Sequence, residues 1–142
     1  MAFIDMIFIA GALLLIYERR IAAFVFFLAG YTVKDAYVMP FLGINLVSGM
    51  AAAAAIMVLA EALYTGNYIT RVLILFLGYC VKLIIHTAAV WIFYAEFKYF
   101  MIPAEIFYSL LMTTAAGAAV LVFSGVNIMK GVLWLKMKYG KI

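Results

Sequence analysis

The 142-residue chain holds one cysteine, Cys80, and one histidine, His86. A single cysteine excludes an intrachain disulfide and a thiolate metal site, and a single histidine excludes bis-histidine haem within the chain. His86 as a lone axial ligand at a subunit interface stays open. Charge is scarce too: Asp, Glu, Lys and Arg make up 11% of residues. No polar block is long enough to clothe a soluble domain, so the chain reads as one domain, residues 1–142. No GxSxG, HExxH, phosphate-binding loop or paired carboxylates occur. An enzyme is therefore disfavoured, and no cofactor is expected. The formal charge of +4 does not point to nucleic acid, because the basic residues stand at the ends of apolar runs rather than on a polar face.

What remains is apolar. Hydrophobic residues are 71% of the chain and the mean hydropathy is +1.24, values of an integral membrane protein. The expected fold is all-α, a polytopic transmembrane helical bundle with five spans near 2–17, 21–39, 44–64, 70–95 and 104–129. A basic, aromatic tail follows over 130–142. The first run is broken only by Asp5 and stops at Glu18-Arg19-Arg20. Lys34 and Asp35 mark the far end of the second, and Pro40 and Gly43 separate it from the third. The N-terminus is apolar first and charged last, the reverse of a signal peptide, so it is expected to remain as a span.

Charge placement sets the orientation. With five spans, Arg19, Arg20, Arg71, Lys130, Lys136, Lys138 and Lys141 share one side, and Lys34 and Lys98 the other. That asymmetry places the N-terminus outside and the C-terminus in the cytoplasm. A four-span alternative, with 21–33 along the interface and 36–60 as one span, puts the basic tail opposite Arg19 and Arg20 and is rejected. Tyr17, Tyr64, Tyr68, Tyr94, Tyr99, Trp134 and Tyr139 form the expected interfacial belt.

The fourth span carries the one cation expected at mid-membrane, Lys82, with His86 one turn later. At 3.6 residues per turn Arg71, Gly78, Lys82, His86 and Ala89 fall on one stripe. A charge at that depth is expensive, so the stripe should face protein or water. Asp5 and Asp35 are the possible acidic partners, but both are expected near the outer ends of their spans, with no carboxylate at the depth of Lys82. Small residues mark candidate helix contacts: Gly49 and Ala53 in the third span, and Thr114, Ala118, Leu121 and Gly125 along the fifth.

The leading expectation is a non-catalytic, multi-pass subunit of a larger homo- or hetero-oligomeric complex in the cell membrane, packed against lipids and other membrane subunits or copies of itself. It rests on minimal loops, the lack of a complete active site, and a mid-membrane cation that could meet a foreign carboxylate. The alternative is a small oligomeric channel or transporter with a polar path along Arg71, Gly78, Lys82 and His86.

Overall fold

A computed structural model describes residues 4–17, 19–38, 43–63, 67–93 and 103–139. They form five helices: α1 (Met6–Ile16), α2 (Arg20–Val38), α3 (Ile44–Ala62), α4 (Tyr68–Phe93) and α5 (Pro103–Tyr139). Among the described residues three segments are long and apolar enough to cross a membrane, Ile44–Ala62, Tyr68–Phe93 and Glu105–Gly125. α2 has 19 residues but carries Arg20, Lys34 and Asp35. α1 has only 11, about 16 Å of helix against the ~30 Å needed for a crossing. Glu18, Tyr64, Tyr94, Glu96, Lys98, Tyr99 and Lys141 lie outside the described residues.

The shortest helix is the central one. α1 touches α2, α3, α4 and α5, and Phe8, Ile9, Gly11, Ala12, Leu15 and Ile16 are buried around it. A helix apolar on all sides needs such enclosure. Asp5 caps its start by accepting from the Phe8 amide at 3.1 Å. At its other end the Tyr17 amide returns to the Leu13 carbonyl at 3.0 Å and the Arg19 amide to Leu14 at 2.8 Å, which closes a tight hairpin into α2.

Small residues and large ones interlock across this centre. α2 buries Ala23, Phe27, Tyr31 and Asp35, one residue every four, so a single stripe faces inward. A Cβ on Gly11 would stand 2.6 Å from the Phe27 ring, and one on Gly49 of α3 would stand 2.2 Å from the Tyr31 ring. Gly78 of α4 admits Ile56, whose Cγ1 would lie 2.4 Å from an added Cβ. Where lipid supplies no hydrophobic drive for helices to associate, such close approach makes dispersion contact the main adhesive.

Arg20 and Glu61 pair at 2.9 Å where α2 begins and α3 ends, and Arg71 lies in the first turn of α4. These residues define the arginine end of the bundle. α5 is continuous for 37 residues, about 55 Å. Its helix runs through the segment expected to be a tail and ends at Tyr139.

Candidate functional site: one carboxylate shared in the middle of the bundle

The length of α1 decides where its cap lies. Starting from the arginine end, about 16 Å of helix brings Asp5 only part of the way through the bundle. Thr113 is about 15 Å along α5 from Pro103, and Lys82 about 16 Å from the far end of α4. These three therefore meet at one level. The expectation that no carboxylate reaches the depth of Lys82 is corrected here. A first run long enough to cross the bilayer would carry Asp5 to its outer rim, whereas the 11 residues of α1 carry it only about half-way.

Lys82 Nζ contacts Asp5 Oδ2 directly. Both side chains are buried, at 6% and 4% exposure. Tyr31 donates its hydroxyl to the same oxygen at 3.2 Å, and Lys34 Nζ stands 3.6 Å from it. Oδ1 accepts from the Phe8 amide, and the Asp5 amide donates to Thr113 Oγ1 at 3.3 Å. The Lys82 ammonium also lies 4.8 Å from the Tyr31 ring centre and 5.4 Å from that of Tyr79, within reach of a cation–π attraction. Tyr79 in turn shares a 2.8 Å hydrogen bond with Ser109. Asp5 thus joins α1, α2, α4 and α5 at one point.

The other residues singled out from the sequence lie elsewhere. Asp35 does not reach Lys82. Its carboxylate accepts from the amides of Gly43 (3.2 Å), Asn45 (3.1 Å) and Leu46 (2.9 Å) and from Asn45 Nδ2 (2.8 Å). It therefore satisfies the start of α3, where Gly43, left-handed at φ 110°, offers no side chain for capping. Arg71 stacks over Tyr17 at 5.4 Å, and Tyr17 bonds Ser124 at 3.0 Å. His86 Nδ1 is buried and has no hydrogen-bond partner among the described residues. Along the stripe, Gly78 is occupied by Ile56, so Arg71, Lys82 and His86 do not share a continuous polar face.

Of the candidate packing residues, Gly49 meets Tyr31 and Ala53 is fully buried. Ala118 is half-buried, and its carbonyl accepts from the Tyr68 hydroxyl at 2.8 Å. At Gly125 an added Cβ would meet nothing within 4 Å. The buried stripe of α5 is instead Ser109, Thr113, Gly117 and Leu121, displaced by one residue from the Thr114–Ala118 row. Polarity explains the displacement, because Ser109 and Thr113 find partners in Tyr79 and Asp5 only when that stripe faces inward. Tyr31, Lys34 and Thr113 were not legible as one site. The four-residue spacing of Phe27, Tyr31 and Asp35 is the one signal that could have placed Tyr31 inside.

Chemically, the arrangement binds opposite charges and hydroxyls to one another. Among the described residues no three of His, Cys, Asp or Glu gather as metal ligands. No protein-family model, curated protein or solved structure matches the chain.

Proposed function

We propose that the chain is a non-catalytic, multi-pass subunit of a larger membrane assembly, with its arginine end and C-terminus in the cytoplasm and its N-terminus directed outward. The seven-to-two division of basic residues supports this orientation. In it α2 to α5 cross the bilayer, and α1 rises from the cytoplasmic side to the level of Lys82.

The observation that carries the reading is the uncovered face of α5. Only 22% of its apolar segment is buried, against 39% for α3 and 33% for α4. Ala115 and Ala119 are exposed there among Leu111, Met112 and Phe123, a small-residue row beside large side chains that suits a neighbouring helix. Lys82 needs no carboxylate from a partner subunit, since Asp5 occupies it.

Thiol cross-linking in native membranes tests the proposal. With Cys80 replaced by serine, Ala115→Cys and Ala119→Cys should yield adducts with a second membrane protein or a second copy, whereas Val25→Cys, on exposed α2, should not. Monomer alone at all three positions would reject the α5 face as a subunit contact. A second reading, a small channel or transporter, is favoured by Lys34, whose 31% exposure connects the Asp5 cluster to the surface. Ion flux in liposomes holding the purified chain alone would favour it over the subunit reading.

A further inference from the structure

Two lysines from two helices address one carboxylate oxygen. Lys82 of α4 holds Asp5 Oδ2, and Lys34 of α2 waits 3.6 Å away with its side chain 31% exposed. Both ammonium groups lie near the same Tyr31 ring, Lys82 at 4.8 Å and Lys34 at 5.9 Å. The other carboxylate at this end, Asp35, is committed to the first amides of α3 and to Asn45. Asp5 is therefore the anion that both lysines contend for.

We propose that Asp5 is a two-position latch between α4 and α2. In the observed position Lys82 fastens α4 to the start of α1. In the second position Lys34 takes the carboxylate, which frees α4 while α1 stays tied to α2. The transfer is short: about 0.8 Å brings Lys34 to the ~2.8 Å of a charge-assisted hydrogen bond, within the compass of a flexible lysine stem. Its consequence is local to the outer part of α4. From Ile84 to Phe93 no residue of α4 is fully buried, and only Ile85, His86, Ala89 and Val90 are half-buried, so Lys82 and Leu83 are the last residues of that helix enclosed by the bundle. Releasing Lys82 leaves the final ten residues of α4 held by half-buried contacts alone, and the helix tilts more easily there. This inference stands apart from the subunit reading, since it concerns contacts within the chain.

Amine reactivity reads the position of the latch. Purified protein in nanodiscs is acylated with a water-soluble amine reagent, and the modification rate of Lys34 is followed by peptide mass spectrometry. In Lys82→Met, Asp5 passes to Lys34, whose acylation should slow several-fold relative to wild type. In Asp5→Asn no carboxylate holds Lys34, and its rate should equal or exceed wild type. An unchanged Lys34 rate in Lys82→Met overturns the latch. So does failure of Lys82→Met to fold, because a carboxylate with a substitute partner is not stranded. The thermal loss caused by Lys34→Met should also be larger in the Lys82→Met background than in wild type, and equal losses overturn the proposal as well.

Discussion

Replacing Asp5 with asparagine separates charge from shape at the centre of the bundle. Asparagine keeps the size of the side chain and an oxygen for the Phe8 amide, which aspartate now serves at 3.1 Å, so the cap of α1 is largely retained. What is lost is the counter-charge of Lys82, a residue 5% exposed with its nearest alternative, Asp35, engaged by four donors at α3. Breaking a buried pair by removing one partner costs on the order of 3–5 kcal/mol. Lys34 adds little to that loss, since its side chain is partly exposed and its flexible stem can carry the ammonium toward the interface. Against a total stability of roughly 5–15 kcal/mol, the substitution removes a large fraction. Lys82→Met should cost less, because Asp5 keeps the Tyr31 hydroxyl and gains Lys34. The double variant Asp5→Asn/Lys82→Met should recover most of the loss, as neutral groups of similar volume often replace a buried ion pair without penalty. Equilibrium unfolding in mixed micelles, titrating a denaturing into a mild detergent and following helix content, gives the three values. Asp5→Asn within about 0.5 kcal/mol of wild type, the scale of an inconsequential surface change, would refute the reasoning. A double variant no more stable than Asp5→Asn would do the same.

Two further outcomes follow from the packing and the charge distribution. Gly49→Ala places a methyl 2.2 Å from the ring of Tyr31, which is fully buried and stacked on Phe27 at 5.8 Å, so overpacking should cost about 1–3 kcal/mol in the same unfolding assay. Gly125→Ala meets nothing within 4 Å and should be neutral or gain up to about 1 kcal/mol from helix propensity; equal losses at the two positions would contradict these contacts. A cysteine introduced near Lys98 should react with an impermeant thiol reagent from outside the cell, and one near Lys138 should not. The opposite labelling would remove the orientation, which rests on the basic-residue count.

Much of the helical architecture was readable because its causes are local. Apolar runs broken by Arg19-Arg20, Gly43 and Thr65-Gly66-Asn67 separate elements whatever their neighbours do, and the third helix begins at Ile44 as its flanking glycine suggests. The fifth was harder. A change of composition at Lys130 looks like an end, but no proline or glycine pair stops the backbone there, and the helix continues to Tyr139. At the candidate site, the cost of a charge among apolar residues was enough to single out Lys82, whereas the four-residue stripe through Arg71 and His86 grouped side chains that neighbouring helices separate.

Composition and periodicity were enough to establish an all-helical chain with helices long and apolar enough to cross a membrane, and a lysine that must be sheltered. Both follow from transfer energies and from backbone hydrogen bonding, which depend on each segment alone. Which group shelters the lysine depends on how the helices pack. Asp5 reaches Lys82 because α1 is about half a span long, so its first residue lies inside the bundle rather than at its rim. The same holds for the inward face of α5, set by partners for Ser109 and Thr113, and for Gly49 rather than Gly125 as a point of close approach. Depth and rotation of one helix against another are fixed by contacts between distant segments, and the periodicity of a single segment carries no record of them.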